Sequence, residues 1–441
     1  MNSTHRPRQF ATAAAAAVLV LALAACSEQY PNSTFTHLTE FNTAIDALWD
    51  KLLFWGTLVF VLVEGLLIWT VIKFRRREGA AEPKHVHGNT TLEILWTAIP
   101  ALILVFIAVP TVRTIFKTQA KAVPNALQVE VIGHQWWWEF RYPEYTSTGA
   151  NGRVDTLVTA NELYVPKGRT VNFALRTNDV LHSFWIPQLG GKRDLIANHT
   201  NYLWFTPDST LDGTVFNGFC VEYCGASHAN MHFRAYTLEP AEFERWVQHQ
   251  LSPAVVAARM PGGAPVPAPA APAAPGDRAA PGDSAAAAAA PTPATLASAQ
   301  TGTVPPAELP DWAVPDTPLP AGVAFDDRLL ASGDVARGAE VYSRSACVGC
   351  HMIKGHPISM GVLGPNLTHF GSRNVLAASM YPNDARHLAR WIKNARVMKP
   401  GVGMPTLGKG LVDPVTGAPV TAGGLTDQEI ADIVAYLMAL K

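Results

Sequence analysis

The segment CVEYCGASHANM, Cys220 to Met231, gathers two thiols, an imidazole, a thioether and a carboxylate. A disulfide between Cys220 and Cys224 would account for the thiols in an oxidising compartment, but it leaves His228 and Met231 without a role. A structural zinc site could take the thiols and His228. It would then lack a fourth good ligand, because thioethers bind zinc poorly. Thiolate, imidazole and thioether together favour copper. A single-copper site of this kind uses one cysteine, two histidines and a methionine. Here there are two cysteines, and His182 in NDVLHSFWIP supplies a second imidazole. Two thiolates can bridge two coppers that share charge. Such a pair changes shape little on oxidation and suits electron transfer better than bond-making.

A second constellation lies near the C-terminus. CVGCH, Cys347 to His351, is the c-type haem attachment motif, with Cys347 and Cys350 as thioether donors and His351 as an iron ligand. A zinc site would need further thiols or histidines nearby. The remaining axial position calls for a methionine well downstream, which raises the reduction potential. KPGVGMP offers Met404 in a Gly/Pro loop. Met398 is the rival, placed where a helix ends, and Met352 is too close in sequence to reach the opposite face. Of the five cysteines only Cys26 is then left over.

Several elements must carry these residues. Net charge is −1, which gives no general attraction for nucleic acid. Only 16% of residues are charged and 48% are hydrophobic, which points to membrane segments. Residues 1–25 read as a secretory signal: a basic start, a short apolar run and small residues before Cys26. The ending LAAC resembles a bacterial lipobox and implies a lipid on Cys26. Within 26–118, two apolar segments, about 48–74 and 92–116, are each long enough to cross a bilayer. Lys73, Arg75, Arg76, Arg77 and Lys84 between them place that loop in the cytoplasm and both flanks outside. Residues 119–251 read as short strands broken by Pro, Gly and Asn, an all-β sandwich closed by the helical run AEFERWVQHQL. Residues 252–324 are rich in Ala and Pro and read as a disordered linker. A flexible chain of about seventy residues spans roughly 40–50 Å root-mean-square. Residues 325–441 regain helical periodicity, and Thr426 with Glu429 predicts a capping box.

CVEYCGASHANM resembles the dinuclear copper A loop of cytochrome c oxidase subunit II, and His182 followed at a distance by a tight ligand loop is how a cupredoxin sandwich builds such a site. LEILWTAIPALILVFIAVPTVR is similar to that family's second transmembrane helix, and VIGHQWWWEFRYP to its aromatic segment. KPGVGMP and GVLGPNL resemble loops of class I cytochromes c. The fold class implied is multidomain: a two-helix transmembrane hairpin, an all-β cupredoxin-like sandwich, a disordered Ala/Pro linker and an all-α cytochrome c domain. The resemblance implies that Cys220 and Cys224 bridge both coppers. His182 and Met231 complete one, and His228 and the Glu222 carbonyl complete the other. It implies that the Glu222 side chain helps hold a magnesium ion against the catalytic subunit. It further implies that Trp136 is a surface contact where electrons enter, and that Glu93 lies near a proton-uptake path. Ala197 and Asn198 stand where the family pattern has Pro-Gly.

Glu64, mid-membrane in the first helix, has no role in the resemblance; packing against another subunit is as good a reading as function. His85, His87, His199, His249, His356, His369 and His387 show no ligand spacing and are expected to face solvent. The reading is an electron-receiving subunit of a proton-pumping haem–copper oxidase in a bacterial inner membrane. It would carry haem c and dinuclear copper, with the catalytic subunit I, other oxidase subunits and an external redox protein as partners. A copper-delivery protein would need neither a haem domain nor a helical hairpin. An enzyme of nitrous-oxide-reductase type would need many more histidines.

Overall fold

The computed structural model describes residues 30–76, 79, 85, 87–119, 124–148, 152, 154–211, 215–256 and 309–441. The signal segment with Cys26, Arg77 and Lys84 of the basic loop, and the linker interior 257–308 lie outside the described residues.

Two long helices, α1 (Glu40–Phe74) and α2 (Thr90–Gln119), form the hairpin, with Trp55 of one stacked on Phe106 of the other at 5.8 Å. Their apolar side chains are exposed on all sides, as in Phe60, Leu62, Ile72, Leu104 and Phe106. That surface requires a hydrocarbon environment. At 1.5 Å per residue α1 is about 52 Å long, well beyond a hydrocarbon core of about 30 Å. Its first turns therefore project out of the bilayer, and they are built into the next domain. The Thr39 side chain accepts from the Asn42 amide, capping the helix, and donates to the Leu189 carbonyl at 2.8 Å. Asn42 donates to the Pro187 carbonyl, Glu40 accepts from Thr206, and Phe41 is buried in the sandwich core.

The sandwich comprises β1 (Leu127–His134), β2 (Trp137–Thr148), β3 (Val154–Ala160), β4 (Glu162–Pro166), β5 (Val171–Thr177), β6 (His182–Trp185), β7 (Arg193–Leu195), β8 (Asn201–Phe205), β9 (Val215–Cys220) and β10 (His232–Leu238). One sheet runs β3-β2-β1-β5-β8 and the other β4-β10-β9-β6-β7. The β1–β5 and β4–β10 pairs are parallel and the others antiparallel. Alternating apolar positions meet between the sheets, where Trp138, Phe140, Phe173, Phe184 and Phe233 are fully buried and Phe184 stacks on Phe233 at 4.9 Å. Helix α3 (Pro240–Leu251) covers one end through Phe243, Trp246 and Val247, as its periodicity predicts. Asn198 takes a positive φ of 59°, a conformation that asparagine tolerates, which accounts for its use in place of the expected glycine.

The C-terminal domain is helical: α4 (Val335–Arg344), a single turn Cys347–Cys350, α5 (Ala385–Met398) and α6 (Asp427–Ala439), with a short ribbon β11 (Val375–Leu376) and β12 (Tyr381–Pro382). The Thr426–Glu429 capping box that opens α6 is present. Helix α4 crosses α6 at Gly338, where an added Cβ would lie 2.0 Å from the Asp432 carbonyl oxygen.

Two expectations are corrected here. The linker read over 252–324 is packed at both described ends. Ala254 and Val255 donate to the Lys354 and Lys441 carbonyls, and Ala313 is buried in the sandwich core with its carbonyl accepting from Arg234. Apolar Leu309 and Ala313 give that end something to bury, which the Ala/Pro run lacks. The histidines expected in solvent also divide. His85, His87 and His199 are exposed, His249, His356 and His387 are half-buried, and His369 is buried. The rings of His249 and His369 meet at 4.3 Å, tilted by 42°, where α3 meets the C-terminal domain, and His356 and His387 pack on Tyr342 and Tyr381.

Gly338→Ala is expected to force α4 and α6 apart and to destabilise the C-terminal domain by roughly 1–3 kcal/mol or more. Thermal unfolding followed at a helical signal checks this; an unchanged midpoint would contradict the close crossing.

Candidate metal centres

Strands β6 and β9 are neighbours, with Phe184 opposite Cys220, so His182 at the start of one and Cys220 at the end of the other share one edge of the sandwich. The chain then turns through Glu222 and Cys224, makes a short 3-10 turn at His228–Asn230, and re-enters the sheet after Met231. Six donors converge as a result. Cys220 Sγ lies 3.8 Å from His182 Nδ1, 3.3 Å from the Glu222 carbonyl oxygen and 3.8 Å from Cys224 Sγ. Cys224 Sγ lies 3.6 Å from His228 Nδ1 and 3.8 Å from Met231 Sδ. The sulfurs are free thiols, well beyond the roughly 2.05 Å of a disulfide. Cys220 thus lies beside one imidazole and Cys224 beside the other, a donor set suited to soft metal ions.

The site is dry. His182 and Met231 are fully buried, and Cys220 and Cys224 nearly so. Burial works against a charge on His182, but the hydrogen bond from its Nε2 to Asp179 Oδ1, 2.8 Å, outweighs this and raises its pKa. The same bond fixes the tautomer, leaving Nδ1 to face the sulfurs. The Cys220 thiol is pushed down to about 3, chiefly by its hydrogen bond with Cys224. Cys224 is pushed up by that same neighbour. The pair gives up one proton easily and holds the second, so loading with metal must displace it.

In the C-terminal domain His351 caps the Cys347–Cys350 turn. Its Nδ1 donates to the Pro365 carbonyl at 2.8 Å, which leaves Nε2 for a metal. Burial lowers the His351 pKa, favouring the neutral ligand form. Met398 is buried in the domain core at the end of α5, whereas Met404 is half-buried in the loop. That loop is braced from behind: the Thr406 amide donates to Asp413, and the Thr406 hydroxyl donates to Asn394. Asp413 is itself held by Arg396 Nη1 at 2.7 Å.

The two domains touch at the copper-type loop. The Trp136 indole donates to the Cys224 carbonyl at 2.9 Å, and Gln135 donates to the same oxygen. The outer edge of that indole lies against Gly401, at a φ of +88°, where an added Cβ would be 2.5 Å from the ring.

Residues 38–114 match the family "Cytochrome C oxidase subunit II, transmembrane domain", 127–236 match "Cytochrome C oxidase subunit II, periplasmic domain", and 335–441 match "Cytochrome c". The chain is 34% identical to a probable cytochrome c oxidase subunit 2 of Rickettsia bellii over 210 residues, 45% of this chain and 76% of that one. The chain belongs to the cytochrome c oxidase subunit 2 family. It is also 29% identical to cytochrome c oxidase subunit 2 of Alkalihalophilus pseudofirmus over 390 residues, 87% of this chain and 83% of that one. Among solved structures, the periplasmic domain of subunit II from Bradyrhizobium japonicum is 31% identical, covering 29% of this chain and 95% of that one at a TM-score of 0.24. The chain is thus a membrane-anchored electron-transfer subunit of an oxidoreductase complex, with copper and haem domains.

As a subunit 2 chain it departs from expectation at Trp136. The residue is only 8% exposed because the C-terminal domain covers it. Trp138 is core, with its indole near the Met231 carbonyl, and Trp137 stacks on His134 at 4.2 Å. Glu222 is half-buried in the ligand loop, Glu64 half-buried on α1, and Glu93 exposed at the start of α2, where it accepts from the Asn89 amide. Sequence reading missed Asp179, although a carboxylate three residues before His182 is a recognisable second partner for an imidazole. It also missed Asp413, for which no local signal exists.

Asp179→Ala is expected to free the His182 ring and lower copper affinity about 10–100-fold, measured by chelator competition. Asp413 has a pKa held below the usual carboxylate range; burial opposes this, but backbone amides and Arg396 outweigh it. Its stabilising contribution is therefore present above about pH 4 and lost as pH falls towards the folded-state value. Asp413→Asn should flatten that acid-side loss in melts taken from about pH 5 downwards.

Proposed function

We propose that this chain is the electron-receiving subunit of a proton-pumping haem–copper oxidase, passing electrons from a covalent haem c to a dinuclear copper A centre and on to the catalytic subunit that reduces oxygen. Copper and haem supply the one-electron chemistry; the chain's own residues hold, orient and shield them. Cys220 and Cys224 would bridge two coppers, with His182 and Met231 completing one and His228 and the Glu222 carbonyl the other. Cys347 and Cys350 would anchor the haem, with His351 and Met404 as axial ligands. The observation that carries the reading is Trp136: one indole is hydrogen-bonded to the Cys224 carbonyl and packed on Gly401 of the Met404 loop.

The remaining roles belong to the same reading. The Glu222 side chain would share a magnesium ion with the catalytic subunit, and Glu93 would stand at the mouth of a proton path. The hairpin would lie in a bacterial inner membrane, with both termini and both redox domains outside the cytoplasm and a lipid on Cys26. The external donor is a cytochrome or another redox protein.

The oxidase, purified whole in mild detergent, should yield one covalent haem and, beyond the copper of the catalytic subunit, two coppers for each copy of this chain. One copper, or a single-copper blue spectrum, would refute the assignment. Cys220→Ser should abolish the mixed-valence signal. Met231→Leu should keep copper but shift its potential, because a weak ligand tunes rather than holds the site. Met404→Ala should remove the sulfur–iron charge-transfer band and open a position to carbon monoxide. If Met398→Ala does so instead, the axial ligand is Met398.

A further inference from the structure

Lys399 is 1% exposed. Its ammonium donates to three carbonyls: Trp136 at 2.7 Å, Asn230 at 2.8 Å and Ala377 at 3.1 Å. The first two belong to the copper domain and the third to Lys399's own domain, so all three protons are used and two cross the boundary. Glu162, 3% exposed, does the converse from the copper domain. Its carboxylate accepts from the Asn374 amide at 2.6 Å and the Val375 amide at 3.0 Å, and from Tyr164 Oη at 3.0 Å.

We infer that Lys399 and Glu162 are positioning residues that clamp the haem-binding domain in one register on the copper domain, each giving a buried charge to the backbone of the other domain. A buried charge is tolerated only where its hydrogen bonds are complete. Both sets are complete only when the domains are docked. Two fixed points of opposite sign prevent sliding and rotation about either one. Ser227 Oγ donating to the Pro400 carbonyl and Asn374 donating to Tyr236 Oη add neutral ties beside them. The segment between the clamps supports the same reading. Ala377, Ala378 and Ser379 all have positive φ, of 56°, 61° and 60°, which side-chain-bearing residues rarely adopt in succession. Lys399 holds the Ala377 carbonyl at the head of that strained turn.

Closure by this clamp covers Trp136, so a soluble donor cannot reach the copper loop through that indole while the domains are docked. That consequence rests on the proposed function; the clamp itself does not.

The test is hydrogen exchange on the purified full oxidase, carrying Lys399→Met or Glu162→Gln, with copper and haem content measured on the same samples. Lys399 does not touch the Asn374 and Val375 amides. Under the proposal Lys399→Met nevertheless speeds their exchange by on the order of tenfold or more, because it opens the interface. Amides inside each domain, such as those of Phe233 and Ile430, keep their wild-type rates, which separates undocking from unfolding. Glu162→Gln gives the same pattern at residues 135–137. Fast exchange at Asn374 and Val375 in the wild type, or no change in either variant, would overturn the clamp. Loss of the expected metal content in the wild type would instead refute the proposed function.

Discussion

Two sulfurs 3.8 Å apart set the terms for this molecule. They are too far apart to be a disulfide and too close to carry two negative charges without cations between them. Only a rigid frame can hold them there. The frame is the edge of the sandwich, where β6 and β9 pair and the ligand loop returns directly into β10. The aromatic core behind it, Trp138, Phe184 and Phe233, leaves no room for the ligands to relax. A site that hardly moves on oxidation is what electron transfer needs.

The same rigidity extends outward in two directions. Towards the membrane, the first turn of α1 is part of the sandwich: Phe41 is in its core and Thr39 and Asn42 bond its loops. The ligand loop is therefore held in a fixed position relative to the first long helix. Away from the membrane, Trp136 and its neighbours meet the loop that carries Met404. The linker that sequence composition makes a free tether is anchored at both described ends, one on the carbonyls of Lys354 and Lys441 and one in the sandwich core. A long chain between two fixed ends and a docked domain are compatible. The interface fixes how the two domains sit on one another.

Much of this is legible in the sequence because metal chemistry restricts residue types severely. CVEYCGASHANM, His182 and CVGCH announce their donors, and apolar length announces the hairpin. The capping box at Thr426 and the amphipathic helices follow from local spacing. What is not legible is what depends on two distant segments meeting. No local spacing marks Lys399 or Glu162, and Trp136 is expected as a surface contact. All three are buried because the domains are docked. His369 is hidden for the same reason, its ring against that of His249 across the boundary. Asp413 acts through a backbone amide next to the Met404 loop, a relation that no spacing encodes.

The central claim is that the two redox domains work from one fixed, docked arrangement rather than by collision of a tethered domain. It is tested by injecting single electrons into the haem of the intact oxidase by flash photolysis and following reduction of copper as salt is raised. A docked pair should transfer in a single phase whose rate is independent of protein concentration and of ionic strength, since the interface charges are buried and unscreened. A rate that falls as salt is added, or that splits into a fast docked and a slow searching phase, would contradict it.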